Sequence, residues 1–87
     1  MEIKAKSFAG TLESSDVFVE VSPNSGRKIN LESVVLAQFG DDITRVVNEV
    51  LDSFKVDNIA ITLKDRGALE CTIRARVETA IRRQEGK

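Results

Sequence analysis

The run Lys6-Ser7-Phe8-Ala9-Gly10-Thr11-Leu12-Glu13-Ser14-Ser15-Asp16-Val17-Phe18-Val19-Glu20-Val21-Ser22 marks the first third of the chain as β structure. Val17, Val19 and Val21 alternate with Phe18, Glu20 and Ser22 at period two, the spacing that sends successive side chains to opposite faces of a strand. Lys6 to Leu12 is likewise rich in small, β-branched and aromatic residues. Glu13 to Asp16, between the two runs, is a polar block of turn formers, so the expected element is a hairpin with Ser14 at its tip. Pro23-Asn24-Ser25-Gly26 is the strongest loop signal in the chain, because proline cannot donate to a ladder. Lys28 to Glu32 then reads as a third short strand.

Outward from the hairpin the period changes. Ile43, Val46, Val47, Val50, Leu51 and Phe54 form one apolar stripe at helical spacing, wide enough to face a core. Asp41 or Asp42 suits an N-cap. Val35 and Phe39 extend the stripe backwards, so a helix start near Ser33 that passes through Gly40 fits as well. Glycine inside a helix costs about 1 kcal/mol relative to alanine, so a break at Gly40 fits equally, and the boundary between Ser33 and Asp42 stays open. Ile59, Ile61 and Leu63 alternate as a fourth strand, ended by Asp65-Arg66-Gly67. Leu69, Ile73, Val77, Ala80 and Ile81 then share a helical face opposite Glu70, Arg74, Glu78 and Arg82. Leu69 to Val77 also alternates at period two, but its length and its continuation to Ile81 favour helix. Gln84 to Lys87 are expected to fray. The expected fold is α+β, a two-layer sandwich in one domain over residues 1–87, with a small, mostly antiparallel sheet of about four strands and two helices on one face.

Composition narrows the chemistry. The 87 residues include no histidine, tryptophan or tyrosine and a single cysteine. Without histidine there is no Ser-His or Cys-His catalysis and no His-containing zinc site. A chain of this length buries on folding only about 60–65 % of the surface its unfolded form exposes, which leaves little room for a cleft between lobes. An enzyme acting alone is not expected. Thirteen basic and fourteen acidic residues give a formal charge of −1, so no polyanionic partner is called for. The absence of a secretory segment near Met1 points to the cytoplasm, and the longest apolar run, Val34 to Ala37, is far below the ~20 residues that span a bilayer.

The chemistry-bearing candidates are few. Cys71 lies among apolar neighbours with no histidine to activate it, and is expected in the core as an inert thiol. Arg74, Arg76, Arg82 and Arg83 are interleaved with Glu70, Glu78 and Glu85 and lack stacking partners beyond phenylalanine, which favours a solvated or protein-docking face over a nucleic-acid surface. The aspartates have no metal-ligand spacing, so no metal is assigned. Ser14 and Ser15, flanked by acids between two strands, are by themselves turn residues.

A resemblance changes the weight of that turn. Ala9-Gly10-Thr11-Leu12-Glu13-Ser14-Ser15-Asp16-Val17, then Gln38-Phe39-Gly40, then Lys64-Asp65-Arg66-Gly67-Ala68-Leu69-Glu70-Cys71 with Arg74-Ala75-Arg76, resembles the acyl carrier (γ) subunit of bacterial citrate lyase, from the N-terminus to about Arg83. The acyl carrier subunit of malonate decarboxylase is the second family it is similar to. The resemblance implies that the serine of the Gly-Thr-Leu-Glu-Ser block, here Ser14, carries a 2'-(5''-phosphoribosyl)-3'-dephospho-CoA arm through a phosphodiester, within a motif formed by Gly10, Thr11, Leu12, Glu13 and Asp16. It implies acetyl and citryl thioesters on the arm's thiol, presented to a transferase (alpha) and a lyase (beta) subunit during citrate fermentation. A prosthetic-group transferase would install the arm. By the same resemblance Arg74 and Arg76 are expected to dock the larger subunits, although Arg76 equally suits an acid within the domain. Glu13 and Asp16 are expected either to repel the arm's phosphates or to serve turn solubility or recognition by the modifying enzyme. The reading from a different class is a small adaptor domain in which Ser14 is only a turn residue.

Overall fold

In the computed structural model of the chain, residues 1–85 are described. The alternating stretch forms an antiparallel pair, β1 (Ser7–Gly10) and β2 (Val17–Ser22), with Ser7 opposite Val21 and Gly10 opposite Phe18. Next come β3 (Arg27–Ser33), α1 (Leu36–Ser53), β4 (Ile59–Asp65) and α2 (Glu70–Glu85). The sheet order is β1-β2-β4-β3, with β4 antiparallel to β2 and parallel to β3. A parallel pair cannot be closed by a hairpin, and α1 supplies the crossover. The result is the expected α+β fold with a mixed, mostly antiparallel sheet.

One face of that sheet is the core. Val17, Val19 and Val21 of β2 and Ile59, Ile61 and Leu63 of β4 are fully buried, together with Val47 and Leu51 of α1 and Val77 and Ile81 of α2. The intervening strand residues Phe18, Glu20 and Thr62 are half-buried and Lys64 is exposed, so both helices cover the valine face. Each such side chain contributes about 1.5–3 kcal/mol of burial.

Local details depart from the sequence reading for identifiable reasons. α1 starts at Leu36 behind Val35, without a side-chain cap, and runs through Gly40, so Asp41 and Asp42 lie inside the helix and cap nothing. Packing of the long stripe outweighs the local cost of one glycine. In α2 the buried set is Ile73, Val77, Ala80, Ile81 and Gln84. Cys71 precedes Ile73 by two residues, on the far side of the helix, and is exposed rather than in the core. Leu69 also leaves the apolar face: it is 71 % exposed, just ahead of the helix, with its carbonyl accepting from the Thr72 and Ile73 amides. Gln84 does not fray. It is buried, and its Oε1 accepts from the Lys4 amide at 2.7 Å, while Glu85 completes the helix and Gly86 and Lys87 lie outside the described residues.

Candidate attachment site

The site is the loop between β1 and β2. β1 ends at Gly10, four residues long rather than reaching Leu12, because Gly10 takes φ +92° and passes close against β2. A Cβ there would overlap the Val17 carbonyl oxygen and crowd the Arg76 side chain. Both the positive φ and the close approach therefore require glycine.

Beyond Gly10 the loop organises itself around Asp16. Thr11 Oγ1 donates to Asp16 Oδ2 at 2.7 Å and accepts from the Glu13 amide at 3.2 Å. The Asp16 amide donates to the Glu13 carbonyl at 3.1 Å, closing a β-turn with Ser14 and Ser15 at its centre. Ser15 has φ +65°, the sign that a type II turn requires at its third position. The ladder with β4 continues past the strand ends, through the Ser15 amide to the Arg66 carbonyl at 2.8 Å and the Arg66 amide to the Asp16 carbonyl at 2.9 Å.

From the helix side, Arg76 clamps the same carboxylate. Its Nε reaches Asp16 Oδ1 at 3.1 Å and its Nη2 reaches Oδ2 at 3.0 Å, a bidentate pair, while the Val17 amide adds a further bond to Oδ1 at 2.7 Å. The hydrogen bond from Thr11, then that from Arg76, then the Val17 amide hold the Asp16 carboxyl at about 2, below its ordinary 3.8. Asp16 is therefore a half-buried, neutralised keystone and not a free charge facing solvent, which removes it from the expected repulsion of an arm.

What the loop leaves free is its tip. Thr11, Leu12, Glu13, Ser14 and Ser15 are exposed. Neither serine hydroxyl makes a hydrogen bond among the described residues; the Ser15 amide is tied to β4, and the Ser14 amide is free. An exposed hydroxyl on a backbone fixed from two sides is accessible to a modifying enzyme and is held in a defined place. Such geometry fits a serine-linked prosthetic group.

The two arginines expected to dock partners both have partners within the chain. Arg76 turns to the loop, as above. Arg74 joins Glu49 and Glu70, and Arg45 bridges the same two glutamates, so that a mixed-charge cluster spans α1 and α2. In the sequence Arg66 reads only as the end of a strand; contact between the loop and the β4 end, fifty residues apart, has no local signal. No cluster of metal-ligating residues occurs among the described residues, and no helix there is long and apolar enough to cross a membrane.

Known proteins bear on this arrangement. A family model described as the acyl carrier protein, malonate decarboxylase delta subunit (MdcD), matches residues 4–84. The chain is 47% identical over 87 residues to the citrate lyase acyl carrier protein of Treponema denticola, covering all of both chains. It is 44% identical over 88 residues to that of Latilactobacillus sakei, covering 100% of this chain and 87% of the relative. The corresponding protein of Vibrio cholerae is 47% identical over 85 residues, covering 95% of this chain and 87% of the relative. Among solved structures, a chain of the Pseudomonas malonate decarboxylase hetero-tetramer in complex with malonate superposes with TM-score 0.81 at 17% identity, covering 97% of this chain and 88% of that one, a likeness of fold.

Proposed function

Because the chain belongs to the acyl carrier family of citrate lyase, we propose that Ser14 is the residue through which it carries a 2'-(5''-phosphoribosyl)-3'-dephospho-CoA arm, as the carrier subunit of a citrate lyase. The observation that carries the reading is an exposed serine pair at the tip of a loop fixed from two sides, in which both hydroxyls are free of hydrogen bonds among the described residues and the Gly10-Thr11-Leu12-Glu13-Ser14 register selects Ser14. When bound, the arm supplies a terminal thiol on which acyl groups travel as thioesters. The chain itself anchors the arm, holds the anchor rigid through Asp16 and Arg76, and keeps the tip clear for partner subunits. None of these tasks needs an acid or a base, in keeping with a chain that has no histidine. The proposed partners are the transferase and lyase subunits of the complex, together with the enzyme that installs the arm, in the cytoplasm.

The test is intact mass after co-expression with the prosthetic-group transferase. The wild type and Ser15→Ala gain the mass of the arm, and Ser14→Ala does not. A gain that survives Ser14→Ala, or no gain at all, refutes the assignment. Citrate lyase is preferred to malonate decarboxylase because the full-length relatives at 44–47% identity are citrate lyase carriers, whereas the solved malonate decarboxylase chain stands at 17%. Docking through α2 is tested with Arg74→Glu alone, since Arg76 also holds the loop. Loss of co-purification with the larger subunits places Arg74 in the interface, and undiminished assembly removes it.

A further inference from the structure

The loop is bordered by an arginine whose side chain has no partner among the described residues. Among the described residues Arg66 is the only arginine whose side chain makes no hydrogen bond or ion pair. Arg27 meets Asn48, Asp52 and the Val56 carbonyl, Arg45 and Arg74 share Glu49 and Glu70, Arg76 holds Asp16, Arg82 meets Glu78, and Arg83 donates to the Phe8 carbonyl. Arg66 is exposed, yet its backbone is fixed, since its carbonyl accepts from the Ser15 amide and its amide donates to the Asp16 carbonyl. Of the acids beside it, Glu32 shares a groove with Arg66 and is exposed without an ion pair among the described residues, whereas Asp16 and Asp65 are already engaged. Asp16 has both carboxylate oxygens bonded to Thr11, Val17 and Arg76. Asp65 is buried, with Oδ1 accepting from the Ala68 amide and Oδ2 from the Ser33 hydroxyl. On the loop itself only Glu13 carries an unpaired carboxylate, and it too is exposed.

We infer that Arg66 is a phosphate-binding residue, whose guanidinium pairs with the phosphodiester joining an arm to Ser14. The inference rests on the attachment reading above and adds a second contact to it. Arg66 lies across the ladder from Asp16, about 5 Å away, and Asp16 is two residues from Ser14, at most about 7 Å of chain, a combined gap that the extended arginine side chain and a seryl phosphate together close. Guanidinium is the group suited to the ligand, because its planar fork presents two parallel N–H donors to two phosphate oxygens. The contact gives the first atoms of the arm a preferred direction, along the β4 end of the sheet, and leaves the remainder free to travel. Charge balance in the loop agrees. With Asp16 neutralised by Arg76, Arg66 offsets Glu13, so the tip does not repel a phosphate. An exposed pair of this kind is worth at most about a five-fold preference for the contacted state and weakens with salt.

The experiment uses chain loaded by its transferase, with loading verified by intact mass, and compares the wild type, Arg66→Gln and Arg66→Lys. Phosphorus NMR reads the phosphodiester, and proton–nitrogen NMR reads the Arg66 Nε–H against unloaded Ser14→Ala protein. The expected result is a shifted Arg66 Nε–H on loading, and a phosphodiester resonance displaced in Arg66→Gln, less so in Arg66→Lys, both effects shrinking at 1 M salt. Full loading with an unchanged Arg66 Nε–H and identical phosphorus spectra in the wild type and Arg66→Gln overturns this inference alone. Absence of any mass gain overturns the attachment reading and this inference with it. The unloaded thermal midpoint of Arg66→Gln, expected unchanged because the loop is held through the Arg66 backbone, guards against a folding artefact.

Discussion

Arg74 and Arg76 stand two residues apart on α2, carry the same charge, and serve different ends. Arg74 sits in an exposed cluster in which Arg45, Glu49 and Glu70 share partners, with the side chains from 34% to 55% accessible. Arg76 reaches the other way, across to a carboxylate whose side chain is 15% accessible and which two further groups of this chain, Thr11 and the Val17 amide, already organise. The lesson is that an ion pair gains structural weight from the hydrogen bonds around it. In the outer cluster, water substitutes for a lost partner. At Asp16, a lost partner leaves the Val17 amide, Thr11 and the guanidinium to be satisfied anew, and the whole loop depends on them.

The largest expected effect tests the close approach that lets Arg76 reach the loop. Gly10→Ala demands a left-handed alanine and drives its methyl into the Val17 carbonyl, for a destabilisation of about 3 kcal/mol or more. Its thermal midpoint should fall by more than about 10 °C. A midpoint close to the wild type would mean that β1 and β2 part easily there. Next in size is Asp16→Asn, which keeps shape and removes charge. The lowered carboxyl implies a stability loss on the order of 1–2 kcal/mol at neutral pH, read from denaturant midpoints.

The same pair has a pH signature. Asp16 is lowered from 3.8 to about 2 in the folded chain, so its contribution is present above about pH 4 and is lost as the pH falls through about 2. The stability difference between the wild type and Asp16→Asn should accordingly narrow between pH 4 and 2, as followed by denaturant unfolding. A difference that stays constant through that window would show that the carboxylate charge is not what holds the loop. The smallest effect belongs to the outer cluster. Glu49 is lowered by the hydrogen bonds from Arg74 and Arg45, yet all three are solvated. Arg74→Ala should leave the melting midpoint within the reproducibility of the scan, at low salt and high. A loss matching that of Asp16→Asn would erase the distinction between the two arginines.

Much of this could be read from the residues. The period-two valines and the stripe from Ile43 to Phe54 declare their elements, because each buries one continuous face. Legibility ends where two periods coincide or where partners are remote. Leu69, Cys71 and Ile73 fit a strand as well as a helix, and only the folded α2 shows that Cys71 and Leu69 face outward. The start of α1 was open because Gly40 speaks locally against a helix that packing favours. The partner of Arg76 is sixty positions away in the chain, and that of Ser15 is on β4's end, so neither has a spacing to betray it. Ser14 is singled out by family resemblance alone; its neighbours by themselves spell a turn, and the turn is what the structure shows.

On the proposed function the chain anchors a borrowed reactive group, and Ser14, not its neighbour, is the anchor point. Peptide fragmentation of chain loaded by its transferase tests that most directly, because it separates Ser14 from Ser15 without altering either. The expected fragment ions carry the whole added mass on Ser14 and leave Ser15 unmodified. Added mass on Ser15, on Cys71 or elsewhere would contradict it.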